Sequence, residues 1–192
     1  MTKKSVSTAP QSSKRTHVQQ KEESKKPASK MSEYGKQLYE KQNVKEIYGM
    51  RKKQFRRFFS IAARKKGATG ETLLSLLERR LDNVMFRLKL ATTRAQARQV
   101  ISHGHVYVNG KKVHTASYLV EINDIVSLKP AVFDKQGFVN QVVNKRLATA
   151  AKVPEWLELN KAEYKGQVLR HPVRSDIQAP IEEHLIVELY SK

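Results

Sequence analysis

Cysteine is absent from all 192 residues, which removes disulfides, thiolate nucleophiles and cysteine-built zinc sites together. No stretch of about 18 apolar residues occurs, so nothing here reads as a transmembrane helix. The first residues lack the apolar core of a secretory signal. They are Ser-rich and basic like a transit peptide, but Glu22, Glu23, the scarcity of Arg and the missing apolar stripe argue against one. Tryptophan occurs once, at Trp156, far from the basic segments, so a lipid-dipping basic helix is not expected and neither is membrane binding. Acid is scarce too. There are 18 Asp and Glu against 37 Lys and Arg, a net charge of +19, and such a balance points to a polyanion.

Nor does the sequence assemble a catalytic site. The histidines (His17, His103, His105, His114, His171 and His184) show no metal spacing backed by a third ligand, and no phosphate-binding G-x-x-x-x-G-K-[ST] loop is present. Neither a metal nor a cofactor is expected. Glu78 and Asp82 sit among arginines and are read as ordering them, not as general bases.

The charge is uneven. Residues 1–149 carry 31 basic and 11 acidic side chains, whereas residues 150–192 carry six and seven, so the C-terminal part is free to face protein. Residues 1–30 hold eight Lys/Arg and no Leu, Ile, Phe, Tyr or Trp, the composition of a disordered basic tail that orders on RNA. Helix is expected from Ser32 as N-cap, anchored by Leu38, Ile47 and Tyr48, with Asn43 and Glu46 restarting it. Arg51 to Lys66 contains eight basic residues and no acid, while Phe55, Phe58, Phe59 and Ala62 share one helical face. Eight like charges repel unless a counter-charge is supplied, so this helix is read as facing RNA. Gly67 closes it, and Leu73, Leu74, Leu76 and Leu77 of the next helix belong to the core.

The densest signals run from Arg79 to Val113. Leu81, Val84, Met85 and Leu88 recur at helical spacing, with Arg80 and Arg87 off the stripe. Thr93 and Gln96 form a capping box before a second helix whose apolar side is Ala97, Val100 and Ile101. Arg94 and Arg98, four residues apart, are placed on its outward edge. Their joint removal is then expected to weaken RNA binding without unfolding. Gly104 ends the helix, and Asn109-Gly110 supplies the positive φ angles of a type I′ turn between strands at 106–108 and from Lys111. Further strands are expected at 117–120 and 125–128 around a turn at Asn123-Asp124, making a sheet of about four strands that Pro130 ends. A helix is expected over 138–151, burying Val139, Val142, Val143 and Leu147 and exposing Lys145 and Arg146. Residues 154–159 alternate weakly and are matched with 167–170. The run Leu185–Val187 fits helix or strand, and the acids before it and Lys192 after it favour helix.

The stretch resembles the RNA-binding domain named after ribosomal small-subunit protein four, through ERRLDNV (Glu78–Val84), the SRAQAR-type Thr93–Arg98 and SYLV (Ser117–Val120). SEYG (Ser32–Gly35), IYG (Ile47–Gly49), QFRR (Gln54–Arg57) and LIVELYSK (Leu185–Lys192) extend the likeness over residues 31 to 192. The chain is thereby identified as similar to the bacterial-type family of that protein, the universal family uS4, in a cysteine-free, zinc-less form. Many members carry a longer N-terminus with four zinc-holding cysteines, from which this chain departs.

The resemblance implies an α+β fold: a helical domain built from N- and C-terminal parts, with an inserted small RNA-binding domain of two helices plus a short β-sheet. The expected division is 1–30 tail, 31–78 helical domain, 79–141 RNA-binding domain and 142–192 the helical domain's second part. The function expected is that of a structural, non-enzymatic constituent of the small ribosomal subunit that binds small-subunit rRNA. A cytoplasmic subunit is expected in preference to an organellar one, and a homo-oligomer is not. Candidate rRNA contacts are Arg51, Arg56, Arg57, Arg64, Arg79, Arg80, Arg94, Arg98, Lys111 and Lys112, then His103 and Tyr107 for hydrogen bonding or stacking. From the family alone come binding at a multi-helix rRNA junction, nucleation of assembly and an influence on translational accuracy. The family also implies contact with ribosomal small-subunit protein five, repression of its own operon's mRNA in some bacteria, and Lys25, Lys26 and Lys30 near the mRNA entrance. Two other readings use the same domain. A free-standing ribosome-associated RNA chaperone of the heat-shock type lacks the flanking motifs, and an RNA-modifying enzyme fragment would need a catalytic domain for which the flanks leave no room.

Overall fold

The computed structural model describes residues 31–129, 152–161 and 163–191. The basic tail with Lys25, Lys26 and Lys30, the strand end at Pro130 and the helix expected over 138–151 lie outside them.

Five helices come first: α1 (Glu33–Ile47), α2 (Lys52–Ala63), α3 (Thr69–Glu78), α4 (Leu81–Arg87) and α5 (Arg94–Ser102). Strands β1 (Val106–Val108), β2 (Lys111–Val113) and β3 (Ile125–Leu128) follow, then β4 (Leu157–Asn160), β5 (Lys165–Val168), a 3-10 turn at Arg174–Asp176 and α6 (Glu183–Ser191). Ser32 caps α1, its hydroxyl accepting from the Gly35 amide. No restart occurs at Asn43, because α1 runs unbroken and Asn43 instead donates to Glu40. Three helices stop by one device. After α1, α4 and α5 a residue of positive φ (Gly49, Lys89, Gly104) turns the chain, and paired 6→1 and 5→2 hydrogen bonds satisfy the last carbonyls. Thr93 caps α5 as read, but Gln96 reaches back to Thr92 and not to Thr93.

There are two cores among the described residues. The helical core gathers Val44, Tyr48, Phe55, Phe58, Ala62 and the α3 leucines with Ile177, Ile181 and Ile186 from the C-terminal segment. Helix α6 therefore packs on α1 and α3, and Tyr190 stacks on Phe59 at 4.3 Å between ring centroids. The second core lies between α4, α5 and a five-stranded antiparallel sheet of order β2-β1-β3-β5-β4. Asn109 and Gly110 both take positive φ between β1 and β2, as the hairpin turn requires.

The sheet departs from expectation in two places. Residues 117–120 form no strand, only an isolated bridge from Leu119 to Arg80, because their backbone groups bond to the start of α4 instead. The edge comes from β4 and β5, which pair in the register Leu157↔Val168 and add to β3 through Ile125↔Gln167. Trp156, Leu157 and Val168 sit in the sheet's core, so β4 and β5 pack with α4 and α5, whereas the expected boundary at 141 grouped them with the helical domain.

Candidate nucleic-acid interface

In α2 the apolar face decides where the charges go. Phe55, Phe58 and Ala62 are buried, which leaves Arg51, Lys52, Lys53, Arg56, Arg57, Arg64, Lys65 and Lys66 exposed. Among the described residues none of these eight forms an ion pair. The field extends onto α1: burial, and then the nearby charges of Lys52 and Lys45, hold the Lys41 ammonium below its usual pKa. Cations held close together without counter-charge raise the free energy of the isolated protein, and a phosphate backbone relieves it.

A second basic surface lies where α5 meets the sheet. His103, Lys111, Lys112 and His114 are exposed there. Gly104 takes φ +74, which favours glycine, and the ends of the Lys112 and His114 side chains lie over it, within 2.3 and 2.7 Å of where a Cβ would be. Tyr107 is half-buried on β1, directly opposite Lys112 on one side and Ser127 on the other. These neighbours share one face of the sheet, because cross-strand partners point the same way. His114 was not singled out from the sequence; only the return of the hairpin shows it beside Lys112.

Four of the expected arginines occupy a different setting. Glu78 and Asp82 are each 1 % exposed, and a buried carboxylate must be paired. Glu78 accepts from the Tyr48 hydroxyl (2.7 Å), Asn83 (2.7 Å) and Arg87 (2.7 and 3.0 Å). Asp82 accepts from Arg80 (2.7 and 3.1 Å), Arg98 (2.8 Å) and the Asn83 amide (2.9 Å). Asn83 joins the two groups, its side chain donating to Glu78 and its backbone amide to Asp82, and it accepts from Arg94 at 2.8 Å. The Arg94 guanidinium lies over the rings of Tyr48 and Phe86, and Arg98 donates to the Tyr48 carbonyl at 2.6 Å. Arg79 is buried and bonds Val120 and Glu121. Burial, then the charge and hydrogen bond of Glu78, push the Tyr48 phenol far above its ordinary pKa, so it stays a donor.

This overturns the outward edge read for Arg94 and Arg98; Arg80 and Arg87, read as off the apolar stripe, pair with Asp82 and Glu78. Helical spacing locates a residue on its helix but does not reveal that α1 packs there. The motif 78–84 is a buried ionic seam between the two cores. Among the described residues of the set singled out in the sequence, Arg51, Arg56, Arg57, Arg64, Lys111, Lys112 and His103 present exposed donors.

Comparison with known proteins follows the same division. The S4 domain matches residues 79–126, and the ribosomal protein S4/S9 N-terminal domain matches residues 2–78. A protein of Natranaerobius thermophilus called small ribosomal subunit protein uS4 is 52 % identical over 165 residues, covering 85 % of this chain and 77 % of its own. Proteins of the same name from Thermoanaerobacter pseudethanolicus and Chloroflexus aurantiacus are 50 % and 49 % identical, covering 85 % and 84 % of this chain and 77 % and 78 % of theirs. With residues 2–126 matched in order by the two family models and 52 % identity over 85 % of the chain, the chain belongs to the uS4 family of small-subunit ribosomal proteins.

Proposed function

We propose that this chain is a structural rRNA-binding constituent of the small ribosomal subunit and not an enzyme. The observation that carries this is α2 and its flanks, where eight cations stand exposed over the buried Phe55, Phe58 and Ala62 and form no ion pair among the described residues. Helix α2 and the corner of His103, Lys111 and Lys112 provide fixed cations for phosphates of crowded RNA helices, and Arg adds a planar fork that donates two parallel bonds. Recognition by shape and backbone suits RNA, whose deep major groove side chains do not read. The buried seam holds the two cores in one unit, which supports their use as a rigid clamp on a junction.

Kinship extends the proposal. We infer binding at a multi-helix junction of small-subunit rRNA early in assembly, an influence on translational accuracy, and contact with ribosomal small-subunit protein five. Repression of its own operon's mRNA belongs to the same inference, as does placement in a bacterial-type cytoplasmic ribosome. The deciding experiment compares binding of the purified protein to the isolated small-subunit junction and to large-subunit rRNA fragments at equal salt. Strong preference for the junction is expected. Equal binding would favour the general RNA-chaperone reading.

A further inference from the structure

Where α3 faces the segment before the 3-10 turn, a cavity of about 290 Å³ opens beside the end of α2. Thr72, Ser75 and Arg79 line it from one side of α3, at the i, i+3, i+7 spacing of a helix face; His171 and Arg174 line it from the opposite segment, and Lys65 from the mouth. Two of the three permanent cations already have partners: Arg79 bonds Val120 and Glu121, and Arg174 bonds Glu183 with the carbonyls of Ile177 and Ile181. Lys65 has no ion pair among the described residues. The His171 Nδ1 atom is shut off from solvent and makes no hydrogen bond among the described residues. That nitrogen is closed to a ligand, so the ring, 41 % exposed as a side chain, meets the cavity through its remaining edge.

We propose that this cavity binds a phosphodiester of the RNA backbone. The inference rests on the RNA-binding reading above and extends it to a site off the α2 face, supplied by Lys65, Thr72, Ser75 and His171. Two hydroxyls, an ammonium and an imidazole are the donors a phosphate oxyanion accepts from. Lys65 continues the exposed basic run just past the end of α2, so a strand tracking that helix delivers its next phosphate to this mouth. The carboxylates nearby are Glu71, which lines the cavity, and Glu121, whose oxygen is 3.8 Å from His171 Nε2. Glu121 is held by Arg79, so it adds little net repulsion.

The charges around His171 provide a reporter. Burial, then Arg79, hold its imidazole below the usual histidine pKa; Glu121 opposes this and Lys65 adds to it. A bound phosphate reverses the local sign and favours the imidazolium. The experiment is an NMR pH titration of the histidines in the full chain, with inorganic phosphate and with a short RNA, each against chloride at equal ionic strength. The His171 pKa is expected to rise by about one unit with either ligand. Lys65→Ala and the double variant Thr72→Val/Ser75→Ala, checked for folding by circular dichroism, are expected to abolish the rise, and each to lower RNA affinity about threefold to tenfold. If RNA binds with the steep salt dependence of a phosphate contact surface while the His171 pKa stays put, the cavity site is wrong and the broader reading stands. If no salt-dependent RNA binding is found, both fail.

Discussion

Asp82 bears more of the structure than its exposed neighbours do. Its carboxylate is shared by Arg80, Arg98 and the Asn83 amide, and Arg80 is itself only 3 % exposed. Asp82→Ala leaves buried guanidinium charge uncompensated and is expected to cost about 3–5 kcal/mol of unfolding free energy, measured by urea titration. Arg98→Ala, which loses bonds to Asp82 and to the Tyr48 carbonyl, is expected to cost about 1.5–3 kcal/mol. An unchanged urea midpoint in Arg98→Ala would return that residue to the RNA-facing set. The acid limb of stability has a separate origin. Hydrogen bonds from Arg170 above all, and from the Val173 amide, hold the Asp176 carboxyl below its ordinary pKa. The folded state therefore binds that proton less readily than the unfolded chain. Its contribution is complete above the ordinary aspartate value and is lost as pH falls through the lower folded one. Asp176→Asn should make stability less sensitive to acid as pH falls below the ordinary aspartate value of 3.8, modestly, since Arg170 is 41 % exposed.

At the scale of elements, the sequence discloses what is local. The Phe55-Phe58-Ala62 stripe of α2, the Asn109-Gly110 turn, the Ser32 and Thr93 caps and the Gly104 stop each depend on residues within a few positions, and all stand as read. What failed was set by distant chain. The inward turn of Arg94 and Arg98 depends on Tyr48 of α1 and on two buried acids, and the strand partner of β3 lies some forty residues downstream in β5. One signal pointed the right way. Acids among arginines were read as ordering them, and Glu78 and Asp82 do so. Packing of the distant hairpin supplies its own test. A Cβ on Gly166 would lie within 2.3 Å of the Leu88 side chain, so β5 approaches α4 only because that position has none. Gly166→Val is expected to destabilise by about 1–3 kcal/mol through overpacking, with a lowered melting temperature but no loss of the basic surfaces.

For the whole molecule, charge has been sorted by depth. The seam uses arginine with buried carboxylate to join the cores, while α2 and the hairpin corner leave exposed cations that form no ion pair among the described residues. Only the second class releases counterions when RNA binds, so only it sets the salt dependence of affinity. About six phosphate contacts imply a log–log slope near about −4 for weakly condensed RNA. Replacing Arg56 and Arg57 by alanine, both exposed beside the buried face of α2, should flatten the slope by about 1.4. It should leave stability within about 0.5 kcal/mol, as surface changes usually do. Arg80→Ala should do the reverse, lowering the melting temperature sharply while the slope for the surviving folded protein holds. Equal slopes in all three proteins would mean that binding does not run through the α2 cations. A slope lost in Arg80→Ala at a temperature where it remains folded would mean that the seam, against its burial, reaches the RNA.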